Sequence, residues 1–88
     1  MLAMTPAAAK HLFTVLERSS TPEATAIRIE IEGDTLTSRL DVARPGDATF
    51  DHDGRKVLVL DQHVSQLLDG STLDLQPTPE GDKLVLVH

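Results

Sequence analysis

Two short segments place carboxylates next to an imidazole, and these are the positions where metal chemistry is conceivable. They are Asp51-His52-Asp53 and Asp61-Gln62-His63. With His11 or His88 they would offer nitrogen and oxygen ligands to a hard or borderline metal ion, which makes a weak divalent metal or iron binder one functional alternative. Turn chemistry is the simpler interpretation, because Asp side chains hydrogen-bond the backbone of turns. We therefore expect no bound metal; the candidates for a metal site are His52, Asp53 and His63.

A hydrolase would need a nucleophile, a base and an orienting acid. Ser65, His63 and Asp61 are the residues that could be nominated for these roles. On a helix that begins near Asp61, residues two positions apart point about 200° away from each other. The three side chains therefore do not converge, and we expect no enzymatic activity and no catalytic residue.

The 88 residues contain no cysteine. For these residues this excludes disulfides, thiolate metal sites, cysteine nucleophiles and cysteine-ligated iron–sulfur clusters. We accordingly expect no cofactor.

The charge balance argues against a nucleic-acid partner. Eight Lys and Arg against fourteen Asp and Glu give a net charge of −6, and Phe13 and Phe50 are the only aromatic residues. A phosphate backbone would be repelled, and no aromatic platform is available for base stacking. The acidic residues Glu30, Glu32 and Asp41 could form a docking face for a basic partner, but a solvated strand face is the simpler interpretation.

The segment Met1–Leu16 has none of the features of a leader or a membrane anchor. It lacks a basic start, carries Lys10 and His11 in its middle and contains no apolar run of about 18 residues. We expect a cytoplasmic protein with no membrane partner.

The elements that would position these residues begin with a helix. Thr5 followed by Pro6 is a typical helix start, and the helix is predicted to end near Arg18. Its apolar stripe consists of Ala9, Leu12, Phe13 and Leu16.

A hairpin is predicted next. Residues 26–32 alternate strictly, with three isoleucines on one face and Arg28, Glu30 and Glu32 on the other. Gly33-Asp34 forms the turn. The returning strand is predicted to point Leu36, Leu40 and Val42 inward and Thr37, Arg39 and Asp41 outward.

The second half of the chain alternates turns with short elements. Turns are predicted at 45–47, 51–54 and 77–82, and strands up to Phe50 and at 57–60, 72–76 and 84–87. The run Val57–Leu60 is apolar at consecutive positions, as in a central strand buried on both faces. Asp61 is the predicted N-cap of a short helix through Leu68, with Gly70 as its C-cap glycine.

These elements predict an α+β fold within a single domain, residues 1–88. Its sheet is mainly antiparallel or mixed, with one N-terminal helix and one short helix on one side, because the turns are too short for parallel crossovers. Phe13 is predicted to pack on this sheet. The inward residues are predicted to be Ile27, Ile29, Ile31, Val57, Val59, Leu73 and Leu86.

The chain resembles the HesB-like family of A-type iron–sulfur carriers along nearly its whole length. The helix start Thr5-Pro6-Ala7-Ala8-Ala9, the strand 27–31 and the segment 46–59 resemble that family's pattern, as does Leu68-Asp69-Gly70-Ser71-Thr72-Leu73-Asp74. These are scaffold features, so the resemblance implies a fold more than an activity.

Three features depart from the family pattern, and the first two concern function. The family's first cysteine lies in a turn that here reads Gly33-Asp34-Thr35-Leu36-Thr37-Ser38, and its Cys-Gly-Cys tail has no counterpart up to His88. The stretch 54–70 is also one residue longer than the family pattern. No position matches a cluster ligand, so the resemblance implies a cysteine-free branch without carrier activity.

We therefore expect a non-catalytic, acidic accessory or protein-binding module linked to iron–sulfur metabolism. Its expected contact is the C-terminal strand Leu84, Val85, Leu86 and Val87, which is apolar on both faces. If this strand lies at a sheet edge, it would template pairing with another chain, most simply in a homodimer. Alternatively, the short helix covers the second face of this strand within one monomer.

Overall fold

Helix α1 (Pro6–Arg18) begins and ends where the sequence predicts, in a computed structural model that describes residues 1–87. The Thr5 hydroxyl accepts a hydrogen bond from the Ala8 amide at 3.2 Å, and Pro6 occupies the first turn. The Thr5 hydroxyl thus gives a partner to one of the free backbone amides of the first turn, and Pro6 has no amide that would need one. The buried face of α1 consists of Ala8, Ala9, Leu12 and Leu16.

Seven strands and a second helix complete the described chain. They are β1 (Ala3–Met4), β2 (Thr25–Glu32), β3 (Thr35–Val42), β4 (Ala48–His52), β5 (Arg55–Leu60), α2 (Gln62–Leu67), β6 (Thr72–Thr78) and β7 (Gly81–Val87). The strands form a three-stranded sheet in the order β1-β6-β7 and a four-stranded sheet in the order β3-β2-β5-β4. The predicted α+β class is confirmed, with the strands divided between two sheets.

The predicted hairpin is present, and Glu32 pairs with Thr35 across a turn in which Gly33 has φ +61°. Contrary to the expectation from turn length, two pairs are parallel: β2 with β5, and β1 with β6. Parallel strands need a long connection between them, and the segment between β2 and β5 is long enough because it contains the whole of β3 and β4. The short strand β1 had no sequence signal, since a two-residue strand is too short to alternate.

Strand β5 is central, as predicted, and all four residues of Val57–Leu60 are fully buried. Leu58 lies beside Ile27 in the parallel register, and both helices contribute to the same core. The main buried apolar side chains are Leu2, Leu12, Leu16, Ile27, Ile29, Val57, Leu58, Val59, Leu60, Val64, Leu68 and Leu73.

Three predicted core residues lie at its margin instead. Ile31, Leu86 and Phe13 pack against the core but are only half-buried. The Phe13 ring meets the His52 ring edge-on, with 5.7 Å between ring centroids. Ile31 and Leu86 lie near the ends of their strands, and Phe13 lies beside the buried face of α1, so these side chains are covered on only one side.

The prediction that Leu40 and Val42 point into the core is wrong. Both are 48% exposed because β3 is one of the two edge strands of its sheet, although Leu40 shares a face with Ile27. Among residues 1–87, no helix is both long and apolar enough to cross a bilayer.

Candidate functional site

Strand β7 is an edge of the three-stranded sheet. It pairs with β6, and no other strand of residues 1–87 pairs with its second side. Leu84 and Leu86 pack against the core, whereas Val85 is half-buried and Val87 is 50% exposed. The edge therefore offers unpaired backbone groups flanked by aliphatic side chains.

Helix α2 lies mainly over the other sheet. Its Asp61 N-cap accepts a hydrogen bond from the Val64 amide at 2.8 Å, and Val64 joins the core. The principal packing partners of α2 are β2 and β5. Val85 and Val87 thus remain partly exposed on β7.

The imidazoles and carboxylates singled out in the sequence are dispersed. The His52 Nε2 lies 3.7 Å from a carboxylate oxygen of Asp53, and the His52 ring rests against Phe13. His63 is exposed on α2, and His11 is half-buried on α1. Within residues 1–87, no three His, Asp or Glu side chains are grouped closely enough to hold a metal ion. His88 lies outside the described residues.

The residues nominated for hydrolysis have other surroundings. The Asp61 carboxylate caps α2, His63 is exposed and Ser65 is half-buried. Among residues 1–87, no hydrogen bond joins the side chains of Asp61, His63 and Ser65 to one another.

Arg28 was predicted to face solvent with Glu30, but its side chain is only 3% exposed. Its Nε donates to the Asp41 carboxylate at 2.7 Å, and its Nη2 donates to the Asp47 carboxylate at 2.6 Å. Asp47 also accepts from the Arg44 amide at 2.8 Å, which ties the loop 43–47 to β2. The prediction that Asp41 belongs to a solvated strand face is therefore wrong, because its carboxylate is part of this ion cluster.

The Arg28 guanidinium, hydrogen-bonded to both carboxylates, lowers the pKa of Asp41 and the pKa of Asp47 below the usual 3.8. Sequence reasoning missed this cluster because strict alternation assigned Arg28 to a solvated face. The hairpin register could have indicated the ion pair. It places Asp41 opposite Ala26, which makes the Asp41 carboxylate a diagonal neighbour of Arg28 on the same face of the sheet.

Acid should destabilise the protein through these carboxyl groups. Their pKa values are lower in the folded chain than in the unfolded chain, so their stabilisation is complete above the ordinary value and is lost as the pH falls through the folded-state values. Urea unfolding between about pH 6 and pH 2 should show a free energy of unfolding that declines below about pH 4. In Asp47→Asn that decline should be shallower, and an unchanged slope would contradict the assignment.

Comparison with known proteins gives matches at the level of structure. No family model matches the sequence, and no curated protein matches it. Escherichia coli SufA, described as involved in biosynthesis of iron–sulfur clusters, has a TM-score of 0.71 at 24% identity, over 97% of this chain and 82% of SufA. IscA with a [2Fe–2S] cluster has a TM-score of 0.67 at 18% identity, over 98% of this chain and 83% of IscA.

A protein from Aquifex aeolicus solved by NMR has a TM-score of 0.72 at 22% identity, over 99% of this chain and 90% of that protein. The residues of this chain do not fit a cluster of the kind that IscA holds. Its β2–β3 turn offers the carboxylate of Asp34 and hydroxyls of Thr35, Thr37 and Ser38, whereas clusters require thiolates. The chain therefore shares the HesB-like fold of SufA and IscA, in a sequence without cysteine.

Proposed function

We propose that this chain is a non-catalytic protein-binding module that acts by association through strand β7 rather than by carrying a cluster. The fold that it shares with SufA supports an accessory role linked to iron–sulfur metabolism. A cytoplasmic location is part of the same proposal.

The observation that carries the proposal is the free edge of β7. Strand β7, Gly81–Val87, has one side with which no strand of residues 1–87 forms a ladder of backbone hydrogen bonds. Such an edge is a template for pairing with a further strand. Val85 and Val87 add aliphatic surface beside it.

A second copy of the chain is the occupant that the sequence of β7 favours. Antiparallel pairing about a two-fold axis at Val85 sets Val85 opposite Val85, Leu84 opposite Leu86 and Lys83 opposite Val87. Pairing about Lys83 would set two ammonium groups opposite each other, which is destabilising. The axis at Val85 avoids this repulsion and sets the two leucines opposite each other, and it is the register that we propose.

Sedimentation at micromolar concentration tests this association. We expect a dimer for the wild type and about tenfold weaker association or more for Val85→Lys, which brings two ammonium groups together at the axis. Thr49→Lys places the same charge on exposed Thr49 of the other sheet's edge strand β4 and should leave the dimer intact. A monomeric wild type, unchanged by Val85→Lys, would contradict the proposal.

A further inference from the structure

Only some of the Lys and Arg side chains of this acidic chain form ion pairs. Among residues 1–87, four arginines form ion pairs with acidic side chains: Arg28, Arg39, Arg44 and Arg55. The other four cations, within the same residues, form no ion pair: Lys10, Arg18, Lys56 and Lys83. Their charges are therefore available to an external anionic group.

Three of these four free cations line two adjoining clefts. Lys10 and Arg18 line a cleft of about 410 Å³ between α1 and the β6–β7 hairpin. Lys83 borders a second cleft of about 270 Å³ between β7 and β3, and His11 and Asp82 line both. We call the two clefts together the basic groove.

The basic groove differs in charge from the rest of the molecule. Lys10, Arg18 and Lys83 against Asp82 give it a net charge of +2. The remaining five cations and thirteen acids carry −8, within a total of −6. A positive groove on an otherwise negative body attracts an acidic partner selectively, because the body repels acids that approach elsewhere.

We propose that the basic groove binds an extended acidic segment of a partner protein. Lys10, Thr14 and Arg18 follow one another at four-residue intervals along α1, so Lys10 and Arg18 stand about 12 Å apart along the helix axis. In an extended peptide, side chains four positions apart lie on the same face and about 13 Å apart. Two acidic residues with this spacing reach both cations at once.

The cleft extends about 16 Å along α1, from Ala7 to Arg18, a length that about five residues of an extended peptide span. Two acidic residues four positions apart fall within that length.

A synthetic peptide tests the proposal. The probe is a fluorescein-labelled nine-residue peptide with glutamates at its third and seventh positions and valine or threonine elsewhere. One control peptide has glutamine in place of both glutamates, and another has both glutamates at adjacent positions. Fluorescence anisotropy is measured with the full chain at low and at physiological salt, because such attraction weakens with ionic strength.

We expect saturable binding of the spaced glutamate peptide, at least threefold weaker binding of both control peptides, and a further three- to tenfold loss for Lys10→Gln or Arg18→Gln. Lys56→Gln removes the free cation outside the groove and should change binding less than twofold. Equal losses for Lys10→Gln and Lys56→Gln would overturn the proposal, because they indicate net charge alone. Absent peptide binding would also overturn it, as would Lys10→Gln disrupting self-association of the chain instead.

Discussion

Arg28→Ala is expected to lower the free energy of unfolding by about 3–5 kcal/mol, the cost of removing one partner from a buried ion cluster. The substitution leaves the Asp47 carboxylate, only 6% exposed in the intact protein, without its guanidinium partner. It also releases the loop 43–47 from β2, because Asp47 ties that loop to Arg28. Urea unfolding at neutral pH measures the loss.

Arg39→Ala is the matched control for this prediction. Arg39 pairs directly with Arg28 in the β2–β3 register and contacts Glu30 at 2.8 Å, but its side chain is 52% exposed. Exposed ion pairs contribute about 0–1 kcal/mol, so this substitution should have little effect. If the two substitutions cost the same, the burial of Arg28 does not determine its contribution.

Leu58→Ala is expected to cost about 2–5 kcal/mol, the usual range for emptying a buried leucine site. Leu58 is fully buried on the central strand β5, beside Ile27 of β2. In a domain of this size, 1 kcal/mol shifts the melting temperature by about 4–8 °C, so thermal unfolding should resolve the change easily.

Leu40→Ala provides the comparison, because Leu40, Ile27 and Leu58 form one row across three neighbouring strands. Leu40 is 48% exposed, so the same truncation should cost well under half as much. A Leu40 effect as large as that of Leu58 would show that the edge strand is covered in solution.

Local signals were sufficient for much of the fold. The α1 start could be predicted because the Thr5 cap and Pro6 act within one turn of backbone. The β2–β3 hairpin could be predicted because Gly33 accommodates the positive φ of its turn. The central position of β5 followed from the unbroken apolar run Val57–Leu60.

Burial could not be predicted wherever it depends on neighbours distant in sequence. Alternation placed Leu40 inward and Arg28 outward, but the order of strands exposes Leu40 at a sheet edge. The loop 43–47 meanwhile supplies Asp47, which covers and neutralises Arg28. Neither the sheet order nor the path of a loop is encoded in the period of one strand.

The candidate site likewise has features that local sequence predicted and features that depend on residues distant in sequence. The apolar run Leu84–Val87 indicated a strand with surface to cover, and composition alone excluded thiolate ligands. The basic groove had no such signal, because Lys10 and Arg18 lie at the opposite end of the chain from Asp82 and Lys83. Packing of α1 against the β6–β7 sheet brings them together.

Anaerobic reconstitution with iron and sulfide tests most directly the proposal that the chain, which shares the fold of SufA and IscA, binds no iron–sulfur cluster. After desalting, we expect no retained iron or sulfide, because residues without thiolates do not hold [2Fe–2S] or [4Fe–4S] clusters. The absorbance should lack visible charge-transfer bands. Stable bands with stoichiometric iron and sulfide in the purified chain would contradict the account.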